Sequence, residues 1–320
     1  MSRRLQTLLL VAIVLAGVLA GPVGGAQEQP TAPEINAGKF VVLSDFNEIL
    51  YAQDPHERTP PASLTKMMTA IVAVRVTDLN TVVTIDASDL VGEATMGLVA
   101  GDQVTIGDLL YGMLLPSGND AASAVARGVG VALGASNGAE AHELFVAKMN
   151  ETAELFRLQN THFMNPHGLD EPGHYSSAYD LAIILRAALN YPQIRERMQT
   201  QAVRVGERFD LFNGNQLLSD RGDFIGGKTG LTDGCGFCLA GAARNAEGRM
   251  VIAVALEDDW SWFWDVSLLL DYGFELMEER GVPHWANPTL VGSQLSQLPE
   301  SSTPRTAGTT TSTPGQGGGP

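Results

Sequence analysis

The chain has 320 residues, 44% apolar and 18% charged, which suits one large or two ordinary domains with a sizeable core and argues against wholesale disorder. Its 36 acids outnumber 20 bases for a net charge of −16, which disfavours nucleic acid or an anionic bilayer as the main partner. Two cysteines exclude a disulfide framework, and no chain-wide heptad or solenoid repeat is visible.

In chain order, Arg3 and Arg4 precede an apolar stretch, Leu8 to Ala20, and small residues Gly24 and Ala26 stand ahead of Gln27. This pattern predicts an export signal over residues 1–26. The stretch is shorter than the roughly 20 residues that span a bilayer; an uncleaved anchor is the alternative reading. No cysteine stands near the cleavage point, which argues against a lipoprotein. The expected location is the periplasm or the outer side of the cytoplasmic membrane. Lys39 to Phe46 and Glu48 to Ala52 read as a strand pair. Pro60 and Pro61 open a helix from Ala62 to about Arg75, and Val82 to Ile85 reads as a short strand. Thr105-x-x-Asp108 forms a capping box ahead of Leu109 to Leu115, which Pro116 ends.

A sharp turn, Pro116 to Asn119, leads into an Ala-rich helix, Asp120 to Val129. His142 to Leu158 has helical period, and Ser177-x-x-Asp180 caps a helix running to about Leu189. Gly236 to Arg244 and Arg249 to Glu257 are β-type runs joined by a hairpin loop, Asn245 to Gly248. Trp262 to Glu279 is an apolar helix that Gly281 and Pro283 end. From Gln297 onward Gly, Pro, Ser and Thr dominate, so the extension over 281–320 is expected to be disordered from about 297. With strands at both ends and helices between, the expected fold is α/β: an antiparallel sheet with an inserted helical region and a terminal helix packed on the sheet. That arrangement brings distant segments together along one seam.

Three short motifs carry chemistry. In Ser63-Leu64-Thr65-Lys66 the serine opens a helix and Lys66, three residues on, shares its face. A serine hydroxyl needs a base before it attacks, and a lysine serves when burial and nearby positive charge depress its pKa. Ser117-Gly118-Asn119 projects a hydroxyl and an amide from the turn. Lys228-Thr229-Gly230, after Gly226-Gly227, puts a cation and a hydroxyl beside glycines that let a ligand approach, just before the β-hairpin. Each motif alone is common by chance. Their order and spacing resemble the S-x-x-K, S-D-N, K-T-G signature of penicillin-binding proteins and class A β-lactamases, with S-G-N here in place of S-D-N.

The flanking strings Pro61 to Ala70, Leu115 to Ala122, Asn165 to Asp170 and Gly227 to Asp233 resemble the low-molecular-mass penicillin-binding proteins of the D-alanyl-D-alanine carboxypeptidase family (serine peptidase S11). The likeness runs from about Glu34 to Gly273, within an expected catalytic domain of 34–280. It implies a β-lactamase/transpeptidase-like fold, with Ser63 as nucleophile, Lys66 as general base and Ser117 as a proton relay to the departing D-alanine. It further implies that Asn119 positions Lys66 and the substrate. Lys228 and Thr229 would receive the terminal carboxylate, with an oxyanion hole formed by the N–H groups of Ser63 and of Leu231, just after Gly230. The implied partners are peptidoglycan stem peptides ending in D-Ala-D-Ala, and β-lactams as covalent inhibitors; no cofactor, metal or nucleic acid is implied. Residues 281–320 are too short for the β-rich domain and amphipathic anchor of larger members, so no firm membrane anchor is expected. No E-x-x-L-N string follows Ser117, so β-lactams are expected to acylate Ser63 and stay.

Other readings compete. A DD-endopeptidase or a β-lactamase on the same scaffold, or a non-catalytic wall- or β-lactam-binding module, are the alternatives to a carboxypeptidase. Cys235-x-x-Cys238 enters a strand, where residues three apart face opposite sides, so packing is favoured over a local disulfide, a redox site or a metal site. His162, His167 and His174 lack a metal-site spacing. Trp260, Trp262 and Trp264 read as packing residues, with a glycan-stacking strip as the alternative.

Overall fold

Lys39–Leu43 (β1) is buried along its whole length because it is paired on both sides, with Ile49–Gln53 (β2) and with Met250–Asp258 (β9), each antiparallel. The computed structural model describes residues 30–280; the expected signal segment, 1–26, and the extension, 281–320, lie outside the described residues. Gly236–Arg244 (β8) pairs with β9, and Phe224–Thr232 (β7) with β8, giving a five-stranded sheet in the order β2-β1-β9-β8-β7. The first and last strands of the domain thus meet at β1–β9, as the arrangement of apolar runs predicts.

Both faces of this sheet are covered. Val41 and Leu43 on β1, and Ile252, Val254 and Leu256 on β9, join one apolar cluster; Phe40, Val42, Val251, Ala253 and Ala255 join another. The period of two explains why these strands read as continuous apolar runs. The second cluster is closed by the helix Trp262–Glu279 (α8). The first is closed by the helices inserted between β2 and β7. Among these, Lys66–Val76 (α1) is buried from Lys66 through Ala73, which explains its lack of an amphipathic stripe. Around it stand Ile106–Leu114 (α2), Asn119–Ala132 (α3), Gly138–Leu155 (α4), Ala178–Leu189 (α5) and Pro192–Gln199 (α6), and the short helix Leu217–Asp220 (α7) precedes β7.

The caps behave in part as the sequence predicts. Thr105 and Ser177 each accept from the N–H three residues on, of Asp108 and Asp180. Asp108 does not complete the box expected with Thr105, and the Asp180 carboxylate accepts from Asn160 N–H and the Thr161 hydroxyl, tying a loop to α5. Four differences stand out. The segment Ala62–Thr65 is a 3-10 turn, and the α-helix begins at Lys66. Helix α4 begins at Gly138, capped by Asn137, rather than near His142. Lys228-Thr229-Gly230 lies inside β7 rather than ahead of the hairpin. Its glycines, expected to let a ligand approach, also serve close contacts across the strand pair. The strand expected over Val82 to Ile85 is present as Val82–Thr84 (β3) and pairs with Gln103–Thr105 (β4), while a further pair, Ala202–Val205 (β5) with Phe209–Phe212 (β6), has no counterpart in the sequence reading.

Helices α3 and α4 touch through a glycine: a Cβ on Gly130 would stand 2.1 Å from the Ala141 carbonyl oxygen. Gly130→Ala is therefore expected to lower stability by about 1–3 kcal/mol through overpacking. The urea midpoint checks this, and an unchanged midpoint contradicts it.

Candidate active site

Ser63 is held from two sides. It sits in the first turn of the 3-10 segment, where its N–H has no partner within the helix. The residue before it, Ala62, has φ 46°. Gly168, at φ 95°, packs on the Ala62 carbonyl so closely that a Cβ would stand 1.9 Å from the oxygen. One turn on, Lys66 is fully buried, with its Nζ 2.8 Å from Ser63 Oγ. The same amine contacts Asn119 Oδ1 at 2.8 Å and the His167 carbonyl at 2.6 Å. Asn119 Nδ2 donates to the Gly92 carbonyl at 2.8 Å, which turns the Asn119 oxygen toward the lysine.

The second lysine approaches from the sheet. Lys228 is 1% exposed; its Nζ donates to Ser117 Oγ at 2.9 Å and to the Thr229 carbonyl at 2.8 Å. Ser117 adopts φ 66°, a conformation that costs a non-glycine residue of order 1–3 kcal/mol and is retained here at the break between α2 and α3. Gly230 lies beside the serine: a Cβ there would stand 3.0 Å from Ser63 N and 2.7 Å from Cys238 Sγ. The free edge of β7 thus runs past the Ser63 amide, with Thr229 and Leu231 at the intervening positions. The structure brings Ser63, Lys66, Ser117, Asn119, Lys228 and Gly230 into one linked group. The Thr229 hydroxyl and the Leu231 side chain make no hydrogen bond or core contact within it.

The electrostatics follow from burial. Desolvation, then the nearby Lys228 charge, push Lys66 well below the ordinary lysine value, against a weaker upward pull from Glu93 and Asp120. Burial pushes Lys228 down to about 7. A neutral Lys66 amine has two N–H bonds and one lone pair. Asn119 Oδ1 and the His167 carbonyl can only accept, so they take both hydrogens. The lone pair is left facing the Ser63 hydroxyl. Lys228 has only neutral partners, and no carboxylate among the described residues forms an ion pair with it.

The D-alanyl-D-alanine carboxypeptidase family (peptidase S11) matches residues 26–259 of this chain. The D-alanyl-D-alanine carboxypeptidase DacD of Escherichia coli is 36% identical over 239 residues, covering 70% of this chain and 59% of that protein. DacB2 of Mycobacterium tuberculosis is 33% identical over 265 residues, covering 78% of this chain and 86% of its own length. The chain spans less than two-thirds of the relatives from Escherichia coli, Salmonella typhimurium and Bacillus subtilis, at 59%, 64% and 66%. Among solved structures, the Streptomyces K15 DD-transpeptidase superposes with a TM-score of 0.71 at 32% identity, covering 76% of this chain and 99% of that one.

Several contributors lie outside the three motifs. The His167 group that meets Lys66 is a backbone carbonyl, invisible to residue-type reasoning. Its ring is pushed to about 3 by burial and by Lys66, so it stays neutral. His174 is tied between Thr65 Oγ1 and the Met164 N–H, and His162 Nδ1 meets the Gly173 carbonyl, so these histidines secure the loop that carries His167. Asp170 accepts from the Thr232 hydroxyl at 2.9 Å and Gly234 N–H at 2.8 Å, latching that loop to the β7–β8 turn. Cys235 and Cys238 are free and buried. Both join the same apolar cluster; Cys235 precedes β8 and Gly236 turns at φ 65° between them, which cancels the alternation expected of a strand. Trp260 and Trp264 are not packing residues; they are 86% and 67% exposed.

Asp120 follows Asn119 and is 1% exposed; its carboxylate accepts from the N–H groups of Met96, Gly97 and Leu98 at 2.8, 3.0 and 3.1 Å. Removing it strands three backbone donors beside the Asn119 turn. Asp120→Ala is expected to cost roughly 3 kcal/mol or more, read from chemical unfolding. A loss within experimental error of zero contradicts this role.

Proposed function

Because this chain belongs to the D-alanyl-D-alanine carboxypeptidase family of serine peptidases, we propose that it removes the terminal D-alanine from peptidoglycan stem peptides through an acyl-enzyme on Ser63. The observation that carries the reading is the buried Lys66 amine, 2.8 Å from Ser63 Oγ, with both of its hydrogens held by carbonyl acceptors. Such an amine takes the Ser63 proton as the oxygen attacks the penultimate D-alanine carbonyl. Negative charge develops on that carbonyl oxygen. The Ser63 N–H and the Leu231 N–H are the proposed donors to it, each worth about 3–4 kcal/mol of barrier.

Recognition of a peptide terminus rests on Lys228. A buried cation without an anionic partner is costly, and a substrate carboxylate supplies the missing charge. Thr229 joins in receiving that carboxylate. Ser117, bonded to Lys228, passes a proton to the amine of the departing D-alanine; Asn119 fixes Lys66 and the substrate backbone. Water then attacks the acyl-enzyme and releases the shortened peptide. β-Lactams enter by the same attack and remain on Ser63 as a stable ester. The location proposed is outside the cytoplasmic membrane, where the wall lies; no helix among the described residues is long and apolar enough to cross a membrane.

Intact mass after benzylpenicillin treatment and D-alanine release from a soluble pentapeptide test the reading. The wild-type protein is expected to gain one adduct and to release D-alanine; Ser63→Ala should do neither. Lys66→Met should slow acylation by about 10²–10⁴-fold. Undiminished release by Ser63→Ala contradicts the mechanism. Rapid loss of the penicillin adduct points to a β-lactamase, and cleavage of cross-linked dimers alone to an endopeptidase.

The two lysines also set the pH dependence. On the acid side, protonation of Lys66 removes the base, so kcat/KM falls as pH drops through its lowered pKa. On the alkaline side, Lys228 loses its charge above about 7 in the free enzyme, so KM for a carboxylate-terminated peptide rises there. Amidating the peptide terminus should raise KM and flatten that alkaline limb. An alkaline limb unchanged by amidation contradicts the assignment of Lys228.

A further inference from the structure

An aromatic surface continues from the β7 edge away from Ser63. Leu231, one residue past Gly230, is 55% exposed and stands directly across from Phe237 on β8, so their side chains lie on one face. The Phe237 ring meets Trp260 at 4.7 Å and Trp262 at 5.1 Å between centroids. Trp262 in turn lies 4.4 Å from Phe263. Trp260 is 86% exposed, although tryptophan is a residue that folding ordinarily hides. A second indole, Trp264, is 67% exposed in the first turn of α8. The supporting rings hold Trp260 in place while leaving its faces to solvent.

The surroundings narrow the occupant. Asp233, in the β7–β8 turn two residues past Leu231, and Asp259, next to Trp260 in the chain, are both exposed. An anionic bilayer or an acidic partner meets like charge here. A neutral polyol does not: its C–H faces suit the electron-rich face of an indole, and its hydroxyls suit carboxylate acceptors.

We propose that Trp260, supported by Phe237 and Trp262, is a stacking platform for the glycan strand that bears the stem peptide. The proposal rests on the peptidoglycan reading above, because the surface is continuous through Leu231 with the strand edge that would hold the peptide. It adds a second point of attachment to the same polymer, which raises the local concentration of stem peptides at Ser63.

Two assays separate this proposal from the reading it rests on. The full chain and its Trp260→Ala and Trp260→Tyr variants are compared for binding to neutral N-acetylglucosamine oligomers, by quenching of tryptophan fluorescence, and to insoluble chitin, by co-sedimentation. They are also compared for D-alanine release from a soluble pentapeptide and from intact sacculi. Trp260→Ala is expected to bind glycan about tenfold more weakly and to lose a similar factor on sacculi. It should keep its rate on the soluble pentapeptide, and Trp260→Tyr should retain most of the binding. Equal glycan binding by wild type and Trp260→Ala overturns the platform, as does Trp260-dependent binding to anionic vesicles in place of glycan. Failure of the wild-type protein to release D-alanine from any substrate overturns the peptidase reading, while the glycan measurement still stands by itself.

Discussion

The site depends on a lysine amine that the fold keeps out of water. Desolvating an ammonium costs several kcal/mol even after relaxation, and Lys228 adds like-charge repulsion. Glu93 and Asp120 pull the other way, but more weakly than burial. The neutral form wins, and its geometry is then over-determined. Two carbonyl oxygens, from Asn119 and His167, take the hydrogens and aim the lone pair at Ser63. Ser63 itself is only half-buried, so the base stays dry while the hydroxyl remains open to a substrate.

The architecture can be understood as what this arrangement requires. One lysine begins the central helix, which is buried from Lys66 through Ala73. The other stands on an edge strand, one face of which is already committed to β8. The turn between α2 and α3 supplies Ser117 and Asn119 at a strained backbone position. Two carboxylates far apart in sequence fix the loops that complete the site: Asp120 holds the 96–98 segment, and Asp170 joins the loop of His167 to the β7–β8 turn. Close backbone contacts at Gly168 and Gly230 bring the serine turn against that loop and that strand. Neither position has room for a side chain.

Much of this was legible because it depends on residue type and period. The alternating apolar runs of β1, β8 and β9 announce a sheet covered on both faces, and the three motifs announce side chains that must converge. What escaped has physical reasons. The His167 contribution is a carbonyl that any residue would possess. The strand β7 carries Gly226, Gly227 and Gly230, which signal a loop by propensity and are kept in a strand by tertiary contact. Cys235 and Cys238 share one apolar cluster because of one left-handed glycine, Gly236, which undoes the alternation rule. The tryptophans near 262 mislead in the other direction: aromatic composition suggests a core, yet Trp260 and Trp264 stand in solvent at a strand-to-helix junction where only Trp262 turns inward.

The protonation state of Lys66 is the quantity on which these points converge, and it can be titrated directly. Lysine labelled at Cε and Nζ, with Lys66→Arg used to assign the resonance, gives the pKa of this amine by NMR in the unliganded protein. A neutral amine at pH 7, with a pKa that shifts upward when Lys228 is replaced by methionine, is the expected result. An amine that stays protonated at pH 7 and titrates near the ordinary lysine value of about 10.4 would contradict it.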